Sequence, residues 1–153
     1  MKWQTLYYQL KKAGHKIIGN KAKYGSDKDK LASRAEQEFL NLIPYAKDMN
    51  QEKFQAHYDF EVKGLKVDVK ASTLKKISQN QQRYVFSIKR QEMLADFVVC
   101  FCYEDGELDD CLLLPKEAIK YTKTISFTKG GKWAEYQITP QEIKAFFDEW
   151  DIS

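Results

Sequence analysis

Three residues in one short stretch, Asp59, Asp68 and Lys70, have the types and spacing that metal-assisted hydrolysis of a phosphodiester needs. They lie in Tyr-Asp-Phe-Glu-Val-Lys-Gly-Leu-Lys-Val-Asp-Val-Lys-Ala-Ser, residues 58–72. Two carboxylates brought close repel each other unless a cation sits between them. Two carboxylates, completed by waters and phosphate oxygens, are a usual ligand set for Mg²⁺. The ion acidifies a bound water and neutralises charge on the phosphate. A lysine two residues from one ligand then has two available roles. It can orient or deprotonate the attacking water, or it can stabilise the pentavalent phosphorane by charge. The competing reading makes Asp68 and Lys70 the exposed face of a half-buried strand. Asp is poorly suited to strand interiors, which weighs against it.

The elements around these residues must bring them together. Residues 54–62 and 65–73 are β-rich runs separated by Lys63-Gly64, a two-residue hairpin signal. Alternation in the second run puts Lys66, Asp68, Lys70 and Ser72 on one face and Val67, Val69 and Ala71 on the other. In the first run His57, Asp59 and Glu61 share a face, so Asp59 converges on Asp68 across the hairpin or at its splayed end. His57 reads as structural or as a phosphate contact.

Upstream, Trp3 to Lys12 has apolar residues at helical spacing, and 19–28 reads as a loop. A second helix, capped by Asp27 or Asp29, runs to about Ile43 on a stripe of Leu31, Ala32, Ala35, Phe39, Leu42 and Ile43, and Pro44 ends it. Downstream, 83–89 alternates as a strand and 90–96 is a polar turn or helical piece. Residues 97–103, Phe-Val-Val-Cys-Phe-Cys-Tyr, are apolar throughout, as in a strand covered by helices on both faces. An acidic turn at 104–110 leads to a strand at 111–114, stopped by Pro115, and then to a short helix from Lys116. The runs 124–128 and 133–138 flank Lys129-Gly130-Gly131-Lys132 and read as a hairpin. Thr139, Pro140 and Glu142 open a last helix with a capping box, and Ile143, Phe146, Phe147 and Trp150 form its apolar face.

With 153 residues, 43% hydrophobic and 31% charged, the chain reads as one globular domain, 1–153, that needs no disulfide or zinc. Cys100, Cys102 and Cys111 read as reduced, buried thiols. No apolar run is long enough to span a membrane and the first residues do not form a signal peptide, so the expected setting is cytoplasmic. The net charge of +3 is uneven. Residues 1–30 hold eight lysines against Asp27 and Asp29, a net +6, which leaves −3 for the rest. A basic extension at 1–28, a helix and loop, suits a polyanionic partner.

The spacing Asp59-x8-Asp68-x-Lys70, after a helix carrying Ala35-Glu36, resembles the PD-(D/E)XK nuclease superfamily. That resemblance implies an α/β fold with a restriction-endonuclease-like core, α-β-β-β-α-β, in which a mixed central sheet is flanked by helices. It implies a metal-dependent phosphodiesterase that cleaves DNA and leaves a 5′-phosphate, using Mg²⁺ or, in its place, Mn²⁺. Carried over by position, Asp59 and Asp68 are the acidic ligands, Lys70 the catalytic lysine and the Val69 carbonyl a further ligand. Glu36 would be a helix carboxylate facing the sheet, with Glu38 as its substitute. Tyr58 stands where the namesake proline would be.

The compact domain and the YDF…VDVKAS signature are most similar to the small endonucleases of group I introns and their bacterial relatives. This implies a homing endonuclease acting on double-stranded DNA as a homodimer or homotetramer. The alternatives are a Holliday-junction-resolvase-like or restriction-type enzyme, a binding module of the same fold without catalysis, and a scaffold with no affinity for Mg²⁺. Lys21, Lys23, Lys28 and Lys30 in the basic extension, and Ser72, Lys75, Lys76, Gln81 and Arg83 after the motif, are the expected DNA contacts.

Overall fold

The computed structural model describes residues 27–49, 58–78, 81–88 and 94–150. The expected first helix, most of the loop after it and the start of the first β-run, His57 included, lie outside the described residues.

Helix α1 spans Asp27–Leu42. Ala35, Phe39 and Ile43, at four-residue steps, are fully buried and define the side it turns to the sheet. Strands β1 (Lys47–Asp48), β2 (Phe60–Val62) and β3 (Leu65–Thr73) follow. The β2–β3 turn is Lys63-Gly64, with φ of 51° and 84°. Such a two-residue turn matches the twist of its strands, and Gly tolerates the left-handed backbone without cost. Next come β4 (Lys75–Ser78), β5 (Gln81–Ser87), β6 (Phe97–Glu104) and β7 (Glu107–Pro115), then a short helix α2 (Lys116–Ile119) and β8 (Thr124–Phe127). A 3₁₀ turn at Lys132–Tyr136, β9 (Gln137–Ile138) and helix α3 (Pro140–Asp148) are the last of the described elements.

Six strands form the central sheet in the order β1-β2-β3-β6-β7-β9, and β4, β5 and β8 form a second, smaller sheet. Strands β3 and β6 are parallel, with Asp68 opposite Val98 and Lys70 opposite Cys100. All other pairs of the central sheet are antiparallel. Val67, Val69, Val99 and Phe101 point to the layer of α1 and α3. Val98, Cys100, Cys102, Leu112 and Leu114 point to Tyr84 and Phe86 of β5, Ile125 and Phe127 of β8, Ile119 and Trp133.

A mixed sheet in an α/β fold was expected, and the structure corrects three details. Helices cover one face of β6, but the small sheet covers most of the other. Its apolar face reads like a helix's because burial, not partner type, sets the run of apolar residues. The expected hairpin around Gly130-Gly131 does not form: β8 pairs with β5, residues 132–136 wind into the 3₁₀ turn that buries Trp133, and β9 pairs with β7. The acidic turn shrinks to Asp105-Gly106, and β7 begins at Glu107. The expected α-β-β-β-α-β order is not confirmed. β5 leaves the central sheet, and Ala95–Asp96, just before β6, are not helical. At the end of the chain the capping box of α3 forms as expected: Glu142 N–H donates to Thr139 Oγ1 at 3.1 Å and Thr139 N–H to Glu142 Oε1 at 3.0 Å.

Candidate active site

β3 carries the chemistry and its neighbours aim it. Asp68 and Lys70 share the face turned toward the small sheet, as alternation requires. The Lys70 ammonium lies 3.8 Å from Asp68 Oδ2. Asp68 is only 6% exposed, so its carboxylate is committed to the fold rather than to solvent. A charge so placed is tolerated only with partners.

Asp59 is held at the splayed end of the hairpin. Its N–H donates to Val67 O at 3.1 Å and its carbonyl accepts from Met49 N–H at 3.0 Å. The chain then leaves the sheet. Where the next ladder bond would fall, Asp59 Oδ2 accepts the Val69 N–H at 2.8 Å. Three hydrogen bonds, to backbone groups of Met49, Val67 and Val69, fix Asp59 and place its carboxylate beside the residue that separates Asp68 from Lys70. The N–H and C=O of a strand residue point to the same side, so the Val69 carbonyl opens toward Asp59. Sequence reasoning did not find Asp96, which clasps β3 to β6 just before the site. Asp96 Oδ2 accepts from Lys66 N–H at 2.8 Å, and Asp96 N–H donates to Lys66 O at 2.7 Å. The signal was an Asp immediately before an apolar strand. Tyr58, in the proline position, lies under the Lys66 ammonium, 5.7 Å from ring centre to nitrogen.

Two carboxylates and a backbone carbonyl are hard oxygen donors, which fits Mg²⁺ and is too few for an all-protein cage. Among the described residues no three His, Cys, Asp or Glu side chains cluster as a metal site. Three protein donors fill half of an octahedral shell, so a divalent ion here would keep positions for water and a phosphate. The cysteines offer no alternative: all three are buried. Burial first, then neighbouring charges, raises the Cys102 thiol well above its ordinary range and pushes Cys111 up to about 12.

The other expected residues divide. Glu36 is half-buried on α1, beside the buried stripe. That helix packs on Val67 and Val69, the side of β3 opposite Asp68 and Lys70. Glu36 would thus approach the site from the other side of the strand. Glu38 is half-buried near Tyr103 and Cys111, and its charge adds to burial in raising the Tyr103 hydroxyl. Tyr103 pairs with Thr73, so Glu38 sits toward the far end of β3, roughly 16 Å along the strand from Asp68. Ser72 is not brought to the surface. It is 5% exposed, accepts from Val85 N–H at 3.2 Å and donates to Thr73 O at 3.1 Å, so it ties β3 to β5. Lys30, Lys75, Lys76, Gln81 and Arg83 are exposed. Lys21, Lys23 and the Lys28 side chain lie outside the described residues.

No family model and no curated protein matches the chain. Among solved structures, the fold is similar to that of a bacterial homing endonuclease, I-Ssp6803I. The TM-score is 0.50 at 19% identity, over 73% of this chain and 89% of that one. At that identity the likeness is one of fold. Among the described residues no helix is long and apolar enough to cross a membrane.

Proposed function

We propose that this chain is a Mg²⁺-dependent endonuclease of the PD-(D/E)XK type that hydrolyses phosphodiester bonds in duplex DNA, most similar in kind to the homing endonucleases. The observation that carries the reading is Asp59, locked on the Val69 N–H at 2.8 Å, beside an Asp68–Lys70 pair at 3.8 Å. The fold neighbour, a homing endonuclease by name, supports it.

Asp59, Asp68 and the Val69 carbonyl would hold the ion, which supplies charge neutralisation and an acidified water. The Lys70 ammonium orients the attacking oxygen and offsets charge gathering on the phosphate oxygens. Water loses a proton to solvent as its oxygen bonds to phosphorus, the bond to the 3′ oxygen breaks, and that oxygen takes up a proton from solvent. A 5′-phosphate and a 3′-hydroxyl remain. A break in both strands needs two such sites, so the working form is a symmetric homodimer or homotetramer.

The test is incubation with supercoiled plasmid in Mg²⁺ and in EDTA. Nicking or linearisation in Mg²⁺ alone, lost in Asp68→Asn, is the expected result. A gel shift without cutting in either condition would identify a binding module instead and end the enzymatic reading.

A further inference from the structure

The chain does not stop at the site. β3 runs on through Leu74 into β4, and the chain returns as β5. Over Lys75–Ser78 and residues 81–83 it is, among the described residues, a ribbon of two strands. Lys75 pairs with Arg83, Lys76 with Gln82 and, past a bulge, Ser78 with Gln81. β8 joins β5 only from Tyr84 onward. Accordingly Tyr84 and Phe86 are buried, while Lys75, Lys76, Ser78, Gln81, Gln82 and Arg83 are all exposed. Two strands with such exposed side chains bury too little to be stable by themselves, so packing among the described residues does not explain the ribbon. Residues 75–83 include three cations and no acid.

We propose that the β4–β5 ribbon enters the major groove of duplex DNA beside the cut and reads base edges there. This rests on the DNA-cleaving reading of the neighbouring site. The major groove, about 12 Å wide, admits a two-stranded ribbon. The side chains have the matching chemistry: Arg and Lys pair with the O6 and N7 of guanine, and Gln with the N6 and N7 of adenine. Alternation and cross-strand pairing put Lys75, Ser78, Gln81 and Arg83 on one face and Lys76 and Gln82 on the other. One face can thus meet bases while the other meets phosphates. Ser78 is eight residues from Lys70, which limits its reach to about 29 Å of extended chain. With roughly 3.4 Å of duplex per base pair, the bases read lie within about nine base pairs of the scissile phosphate.

The groove beside the ribbon does not compete for this role. It encloses about 840 Å³, and its Arg83 and Lys129 are balanced by Glu104 and Asp109. Asp109 is already bound by the Tyr84 hydroxyl at 2.7 Å and by the Lys129 ammonium at 2.9 Å. A polyanion finds its excess of positive charge on the ribbon.

The experiment selects binding sites from a randomised duplex library with Ca²⁺ in place of Mg²⁺, for the wild-type chain and for Gln81→Ala/Arg83→Ala. Both positions are exposed, and circular dichroism checks that the variant folds. The wild type should enrich a defined sequence. The variant should lose preference at one or two positions within nine base pairs of the cut, with affinity for the selected site down about 10- to 100-fold per lost contact. In the selected site, 7-deazapurines, which remove N7 from the major groove, should weaken the wild type by a similar factor. Inosine, which removes only the minor-groove amino group of guanine, should not.

An unchanged preference in the variant, or weakening by inosine and not by 7-deazapurines, overturns the proposal. So does a wild-type chain that enriches no sequence. If instead this pattern appears in a chain that leaves plasmid uncut in Mg²⁺, the ribbon stands as the reader and the nuclease reading falls.

Discussion

Asp68 and Arg83 lie fifteen residues apart on a nearly continuous path of strand, yet they occupy opposite environments. Asp68 is 6% exposed in the middle of a six-stranded sheet, while Arg83 is exposed on a two-stranded extension. Around Asp68 the backbone is paired: β6 runs along one side of β3, and Asp59 is bonded through its N–H, C=O and carboxylate. Around Arg83 the only strand partner among the described residues is β4. Bond cleavage needs groups held to within a fraction of an ångström, which rigid strands provide. Contact with a long polymer needs reach and charge, which an exposed ribbon provides. One strand supplies both by leaving its sheet, and the change falls at Leu74, the last residue tied to β6, through Leu74 N–H to Tyr103 O at 3.0 Å.

The sharpest way to break this contrast is to change each region and ask which property moves. Asp68→Asn keeps the shape of the side chain and removes its charge. Cutting of plasmid in Mg²⁺ should fall by roughly 10²–10⁴. Duplex affinity in Ca²⁺ should hold or rise, because a negative charge near phosphate is lost. A variant that cuts at the wild-type rate would separate Asp68 from the chemistry altogether.

Stability should divide in the same way. Phe39 is fully buried, with its ring centre 5.0 Å from that of Phe60 and 5.8 Å from that of Phe147, and so couples α1, the start of β2 and α3 under the site. Phe39→Ala should cost about 3–5 kcal/mol, measured by the urea midpoint. Gln82→Ala, on the ribbon, should stay within about 0.5 kcal/mol of wild type. A large loss at Gln82 would mean that the ribbon carries part of the core and is no separate region.

Charge on the ribbon should act on binding alone. Removing Lys75 and Lys76 together should shallow the slope of log affinity against log salt by roughly one, because Lys76 lies on the face opposite Gln81 and Arg83, the face left for phosphates. Cutting at saturating DNA should be unchanged. A slope that does not move would show that neither lysine meets a phosphate.

How far this division was legible in the sequence depends on the range of the interactions involved. The Asp59, Asp68 and Lys70 arrangement was legible because two local rules produce it. The turn at Lys63-Gly64 sets the hairpin, and alternation sets the face. The cap of α3 was legible for the same reason. The partner of β5 was not, because nothing in Tyr84–Ser87 distinguishes pairing with the central sheet from pairing with β8, and that choice is made by contacts some forty residues away. The false hairpin at Gly130-Gly131 has the same origin. Its glycines do mark a turn, with Gly130 at φ 80°, but the chain beyond it is claimed by β7 and by a pocket for Trp133. Ser72 was misplaced because alternation names a face and does not say what covers it.

The smallest expected effect tests whether the site and the ribbon depend on the helical layer in common. Thr139 Oγ1 caps α3, and α3 delivers Phe147 to Phe39. Thr139→Ala removes that one cap and should lower stability by about 1 kcal/mol. In a chain of 153 residues this is a fall in Tm of roughly 2–4 °C. The loss should be global, because the cap acts on folding and touches neither region. Below the transition, cutting rate and sequence preference should therefore both match wild type. If the variant cut more slowly at 25 °C while its sequence preference held, the cap would be acting on the geometry around Asp59 through Phe147, Phe39 and Phe60. The rigid region would then extend to the last helix, and the boundary between the two regions would still lie at Leu74.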